Sequence, residues 1–352
     1  MSDKKTSVLG GLGYKIRNLT DTNLLLTITI VVFFLMYIGA MVFQGGGFLK
    51  PQAFLDILNN NAALIILSCG LSLVMITGGI DISVGGVTAL ISMCCAVYLD
   101  KMGGNVFLSL IIALAIGLAF GLFQGFLVAY LDIQPFIVTL AGMFFARGLT
   151  TIVNTEPFNV ANEALNKLKM TRVTVPGLGS LNRRGVYIDA YVEIGVIVAL
   201  LVVLLMFCML RWTKLGRSFY AVGGNQQSAM MLGINVKRTK FISHVLCGLL
   251  AGIGGYVYFL HVGSGSVANA MGAEMDAIAS SIIGGTMLTG GVGNIIGTLF
   301  GVMSLGTIQN IVSSAGLDEA WWTGITRAAM LCLFLLVQSV VISRKKKRVV
   351  TS

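Results

Sequence analysis

Apolar runs long enough to cross a bilayer recur along this chain, separated by short polar or glycine-rich stretches. A spanning helix needs about 20 apolar residues, fewer where it is broken or re-entrant. By that measure spans fall near 23–43, 60–78, 83–99, 106–131, 135–152, 189–210, 241–261, 273–288, 293–313 and 322–343. The pattern predicts an all-α, polytopic transmembrane helix bundle of about ten spans. The first run, 24–43, has the length of a full span and exceeds the short apolar core of a signal peptide. Between the spans lie the segments 44–59, 100–105, 154–187, 261–272 and 314–321, all expected outside. Within the longest of them, 160–168 is expected to form a short helix on the outer surface.

Two of the apolar stretches are interrupted in a similar way. Residues 77–86 read Thr-Gly-Gly-Ile-Asp-Ile-Ser-Val-Gly-Gly, and 282–294 read Ile-Ile-Gly-Gly-Thr-Met-Leu-Thr-Gly-Gly-Val-Gly-Asn. Each has a glycine pair, a small polar patch and a second glycine pair. Non-helical backbone at membrane depth survives only where protein or a water-filled cavity satisfies it. Matching breaks in the two halves of a transporter point to a pathway; tight turns between helices use glycine equally well. Both readings stand at this point, and the bundle is expected to contain Gly-rich broken or re-entrant helices.

Composition agrees with the membrane assignment. Of 352 residues, 56% are hydrophobic and 11% charged. Soluble domains carry roughly 25% charged residues, so a soluble enzyme is excluded. Placement of the basic residues then fixes orientation. Four Lys/Arg lie in the N-terminal segment 1–22, six in 211–240 with no acid among them, and five in the tail 344–348. The positive-inside rule puts all three in the cytoplasm. An even number of spans brings both ends to that side, and six spans precede 211–240, so count and charge agree. The basic excess sits beside apolar spans, where topology accounts for it and no nucleic-acid partner is implied. The organisation expected is a cytoplasmic segment 1–22, a transmembrane domain 23–343 and a basic cytoplasmic tail 344–352.

The cytoplasmic stretch 211–240 carries mechanical information. Gly223 and Gly224 punctuate it, Asn225 is placed to cap a first helical turn, and Gly233 suits a C′ position with positive φ. A helix of about two turns over 226–232 follows, too short to stand alone. Either it rests on its own membrane domain, or its face, with Met230, Met231 and Leu232, docks on a partner.

At these residues the chain resembles the permease subunits of sugar-importing ATP-binding-cassette systems, the family of ribose, galactose and xylose permeases. The stretch 77–86 is similar to the family's TGGIDLSVG signature, 215–234 to its LGR…YAxGGN…A…GI loop, and 282–301 to its IGGT.L.GG.G…GT..G segment. The similarity runs from about residue 60 to the C-terminus. Residues 136–148 and 321–325 look closest to the galactofuranose-type permease. The resemblance implies a multi-pass protein of the bacterial inner membrane that is not itself an enzyme. It implies alternating access, with import driven by ATP hydrolysis on separate cytoplasmic ATPase subunits. An extracytoplasmic sugar-binding protein and a second permease, identical or homologous, are the other implied partners. No cofactor is expected on this chain, since ATP and Mg would bind the ATPase, and no GxxxxGK[ST] loop is present. Asn225, Gln226, Gln227, Ser228, Met231 and Gly233 would form the contact that couples to the ATPase. The same machinery could carry another small solute (a pentose, a nucleoside or a signalling furanose). An ion-coupled secondary carrier is the rival of a different class, and would use paired acids such as Glu274 and Asp276.

Charged groups near membrane depth are functional candidates by default. Asp81 leads them, either capping the next half-helix or bonding sugar hydroxyls, with Ser83 in the same turn. Gln124, Phe136, Thr139 and Asn294 supply the planar polar and aromatic groups that a sugar path would use. Asp132 is expected to cap the helix that Pro135 opens. Arg147 either snorkels outward or pairs with Glu274 or Asp276. His244 and His261 are expected to be structural, and the six cysteines to be small apolar residues without disulfide or metal roles.

Overall fold

A computed structural model describes residues 21–181, 187–316, 321–322 and 324–336. Nearly all of the segment 1–22, the end of the last span and the tail 344–352 lie outside the described residues. From the N-terminal side, α1 (Asp21–Gln44) is followed by α2 (Pro51–Ile76), α3 (Val84–Asp100), α4 (Val106–Tyr130) and α5 (Pro135–Val153). The outer segment then holds β1 (Phe158–Asn159), α6 (Glu163–Met170), β2 (Arg172–Leu181) and β3 (Tyr187–Glu193). α7 (Ile194–Trp212) leads into the short helices α8 (Lys214–Gly224) and α9 (Gln226–Met231). α10 (Val236–Val262), β4 (Ser264–Gly265), α11 (Ala273–Ile283) and α12 (Ile295–Ser314) follow, and α13 (Gly324–Leu336) closes the described chain.

Ten of these helices match the ten expected spans in order, and seven are long and apolar enough to cross a bilayer unaided. The exceptions among the ten are informative. α3 and α11 are short because each abuts a glycine-rich break. α11 stops at Ile283, before the expected 288, because the Gly284–Gly285 pair turns the chain, with Gly285 at φ +89. α2 starts nine positions before the expected 60: Pro51 stands at N1, where its missing N–H costs nothing. Asn59 is expected in the preceding loop, whereas Asn61 is expected in the span. Inside the helix Asn59 instead uses its side chain to accept from Glu193 N (2.9 Å), and Asn61 donates to Ile57 O (2.8 Å).

α2 is the central column, buried against α7, α10, α11 and α12. Its Ser72 hydroxyl sits 3.0 Å from Ser281 Oγ on α11 and 2.8 Å from Thr298 Oγ1 on α12, a small polar rivet between three helices. α10 crosses α4 through glycines. A Cβ on Gly121 would stand 2.8 Å from His244 O, and one on Gly248 would stand 2.6 Å from Gly121 Cα. Such crossings bring backbones closer than any side chain permits.

Outside the membrane, β2 and β3 form an antiparallel hairpin and β1 pairs with β4. The short outer helix is present over Glu163–Met170, with Asn162 capping it through Ala164 N (3.0 Å) and Leu165 N (3.2 Å). Asp132 is not the cap of α5: Gln134 stands at that N-cap, and Asp132 takes φ +54 in the preceding turn.

Candidate functional site

The first break follows α2. Thr77 turns its hydroxyl back onto Val74 O (2.8 Å), and Gly78 adopts φ +87, ending the helix. Asp81, 3% exposed, accepts from Ser83 N (2.9 Å) and from Ser83 Oγ (2.6 Å). This is the local turn that an Asx side chain makes; the N-cap of α3 is Ser83, and no side chain caps that helix. Ser83 Oγ is also 3.1 Å from Gln124 Oε1 on α4. Thr139 on α5 donates to Ile80 O (3.1 Å) and Pro135 O (2.9 Å), tying the break to that helix as well. Cys247 and His244 of α10 face Asp81 from the third side. Asp81, Ser83, Gln124 and Thr139 therefore come together from the break and two helices. Gln124 Nε2 and His244 Nε2 are buried there without a partner among the described residues.

Two of the expected path residues stand elsewhere. Phe136 is on the outer surface of α5, 47% exposed. Asn294 caps α12, its Oδ1 accepting from Ile296 N at 2.9 Å.

The second break, between α11 and α12, is built from backbone. Gly285, Gly290 and Gly291 all have positive φ. Met287 N donates to Val292 O (3.0 Å), closing the loop on itself. Gly291 N donates to Ile76 O (2.9 Å), which joins this break to the end of α2 and hence to the first break.

Helices α8 and α9 form a hook that completes the arrangement. Thr213 caps α8 (Gly216 N to Oγ1, 3.1 Å) and Asn225 caps α9 (Ser228 N to Oδ1, 2.8 Å). Gly233 adopts φ +78 and closes the end of α9, with its N–H on Met230 O at 2.9 Å. Ala229 packs inward against Val222 and Val236. Gln226, Gln227 and Ser228 are exposed. Met231 is 88% exposed, with Met230 and Leu232 open beside it. The short helix thus rests on its own chain through one small residue and leaves its apolar side exposed.

The three motifs meet at one point. Tyr220 of α8 donates to Gly293 O (2.9 Å), and burial pushes its phenol up to about 12. A Cβ on Gly223 would collide with Ile76 O and stand 2.5 Å from Gly291 N. One on Gly290 would stand 2.9 Å from Gly78 Cα, and one on Gly291 would stand 2.8 Å from Gly224 Cα. Five glycines, from the first break, the hook and the second break, interlock backbone to backbone. No side chain larger than hydrogen fits at Gly223 without displacing both breaks. Spacing along the sequence marked each motif singly; their junction was not visible there.

Charges elsewhere are accounted for by pairing. Arg147 neither snorkels nor closes a direct salt bridge. It donates to three carbonyls of the segment before α11, with Glu274 in electrostatic range. Asp276 pairs with Arg327 of α13 at 2.5 Å. His261 Nδ1 lies 2.8 Å from Glu193 Oε2, and His244 Nδ1 lies 2.9 Å from Lys240 O.

A bundle of broken apolar helices with a capped hook seated on the breaks defines a polytopic helical membrane protein. The comparisons with known proteins agree. Residues 53–335 match the family described as "Branched-chain amino acid transport system / permease component", and the chain belongs to that family. It is 37% identical over 316 residues to the inner membrane ABC transporter permease protein YjfF of Escherichia coli (strain K12), covering 90% of this chain and 92% of that one. It is 33% identical to the fructose import permease protein FruG of Bifidobacterium longum (strain NCC 2705), over 92% and 93% of the two chains. It is likewise 33% identical to the ribose import permease protein RbsC of E. coli (strain K12), over 81% and 84%. No solved structure matches the chain. The protein is a multi-pass inner-membrane ABC permease, a transport subunit and not an enzyme.

Proposed function

We propose that this chain is the membrane subunit of a binding-protein-dependent importer, passing a monosaccharide inward by alternating access. ATP is hydrolysed on separate cytoplasmic subunits, a binding protein outside delivers the sugar, and a second permease completes the channel. The single observation that carries this reading is the exposed Met230–Met231–Leu232 face of the hook, seated through Gly223 on both helix breaks. An apolar face held in the cytoplasm calls for a partner there. Its attachment to the breaks gives that partner mechanical access to the membrane. In this scheme Asn225, Gln226, Gln227, Ser228, Met231 and Gly233 form the ATPase contact.

A sugar is favoured over an amino acid, despite the family's description, because relatives named for ribose and fructose import align over most of their length. A furanose such as galactofuranose fits the resemblance of 136–148 and 321–325; a pentose shares the same chemistry. Around the first break, Asp81, Ser83, Gln124 and Thr139 hold the helix start that borders the path.

The test is the double variant Asn225→Ala/Gly233→Val in cells that also express the ATPase subunits. The cap is worth roughly 0.5–2 kcal/mol and the strain about 1–3 kcal/mol, both outside the membrane core. The expected result is a normal membrane level, weakened co-purification of the ATPase and loss of uptake. Normal ATPase binding with a collapsed membrane level would end the coupling assignment. Uptake driven by an ion gradient without ATP would replace it with a secondary carrier.

A further inference from the structure

Four charged residues lie together deep in the bundle, against the start of α3 where the first break ends. Arg147 reaches from α5 across to the segment entering α11, donating through Nη1 to Val267 O (2.9 Å) and Asn269 O (2.7 Å), and through Nη2 to Ala270 O (3.0 Å). Glu274, in the first turn of α11, places its carboxylate against Gly85, where a Cβ would collide with Oε2. Asp276, just beyond, pairs with Arg327 at 2.5 Å. Depth follows from α3. Asp100, at its outer end, accepts from Ala161 N in the outer segment, and Gly85 lies about 22 Å further in at the helical rise. The cluster is therefore well inside a hydrocarbon core of about 30 Å, past its middle from the outer side.

We infer that this face of α5, α11 and α13 is one wall of the path and takes the hydroxyls of a neutral sugar. The inference deepens the importer reading and rests on it. Three observations carry it. First, the Asp276–Arg327 pair is not sealed: the side chains keep 15% and 29% of their exposure. Charge open to acyl chains is not tolerated, whereas charge open to a water-filled cavity is ordinary. Second, hydrogen-bonding capacity is left over. Glu274 is nine-tenths buried, yet its Oε2 has no partner among the described residues, and neither has Arg327 Nε. Third, two acids stand with two guanidinium groups, so the cluster is formally neutral. Such a wall offers acceptors and donors to vicinal hydroxyls without selecting an ion.

The groove between α4 and α5 makes the contrast. It encloses about 480 Å³, lined by Phe120, Phe123, Leu127, Ile137 and Phe145, with Gln124 its one polar group. One amide cannot match a polyol, and that face suits lipid.

The experiment compares water access in the assembled complex, in vesicles, with Cys94, Cys208 and Cys332 replaced by Ala. Met275→Cys, beside the cluster, and Phe123→Cys, on the α4 groove, are treated with a charged, membrane-impermeant thiosulfonate. Both native side chains are exposed in the structure. Met275→Cys is expected to react at least about tenfold faster. A second arm uses Asp276→Asn/Arg327→Gln, which removes both charges and leaves none uncompensated. Uptake should fall about tenfold or more while binding-protein-stimulated ATP hydrolysis and membrane level hold, as for a residue that acts on solute passage. Uptake of D-ribose, D-fructose, D-xylose and D-galactose by the unaltered complex is measured in the same vesicles. Equal, slow labelling of the two cysteines in a complex that imports overturns the wall assignment alone. Fast labelling of Met275→Cys in a complex that imports none of these sugars overturns the importer reading and the sugar with it.

Discussion

The two helix breaks resemble each other in sequence and differ in construction. The first is held by side chains: Asp81 by Ser83, Ser83 by Gln124, Ile80 O by Thr139, with His244 and Cys247 closing the third side. The second is held by backbone, through Gly285, Gly290, Gly291 and the Gly291 N–Ile76 O bond. Side chains from three helices lock the first break into its own bundle. Backbone contact leaves the second with no lock but its neighbours, and one of those neighbours is the hook. Like glycine patterns are thus closed in one place by side chains and in the other by backbone, with the Tyr220 hydroxyl of the hook on Gly293 O.

Substitutions at four positions separate the two breaks. The largest effect is expected from Gly223→Val, whose Cβ meets Ile76 O and Gly291 N. Overpacking of this kind costs roughly 1–3 kcal/mol, and here it parts the hook from both breaks. Uptake should fall to background while the protein remains in the membrane, as read by transport per unit of immunodetected subunit. Next is the Asp81 series. Asp81→Leu strands the buried Ser83 N–H, at about 1–3 kcal/mol, and should lower membrane level and uptake together. Asp81→Ala should be intermediate, and Asp81→Asn, which still accepts from Ser83 N, mildest. Equal uptake in all three would remove Asp81 from the account. Gln124→Leu should cost less than Asp81→Leu, because Ser83 keeps Asp81 as its acceptor and an unpartnered buried Nε2 disappears; a thermal unfolding shift smaller than that of Asp81→Leu checks it. The smallest effect is Tyr220→Phe. It removes one hydrogen bond to Gly293 O, worth roughly 0.5–1.5 kcal/mol, and should reduce the maximal uptake rate without touching membrane level.

How much of this was legible in the sequence depends on range. Features set within a few residues were readable. Asn225 caps, Gly233 takes positive φ, and the outer helix starts beside Asn162, all from local chemistry. Ten helices follow from apolar length, because the bilayer imposes it. Boundaries failed where local chemistry was ambiguous: 51–59 looked like a loop but sits inside α2, since β3 supplies Asn59 a partner that no local pattern reveals. Asp132 looked like a cap because it precedes Pro135, but its backbone has turned to φ +54 and Gln134 takes the position. The meeting of Gly78, Gly223 and Gly291 was beyond reach. Glycine carries no pattern of its own, and these three lie in separate parts of the chain. The charges at Arg147, Glu274, Asp276 and Arg327 were visible as outliers, yet their pairing depended on which helices the fold sets side by side.

The central claim is that the hook drives both breaks through the glycine junction. It is tested most directly by measuring, in one preparation of the reconstituted importer, ATP hydrolysis stimulated by the loaded binding protein and uptake per complex for Gly223→Val. The account predicts that the ATPase stays bound and hydrolyses at its basal rate, while stimulation and uptake both disappear. Gly223→Val complexes at normal membrane level that keep stimulated hydrolysis and uptake would contradict it.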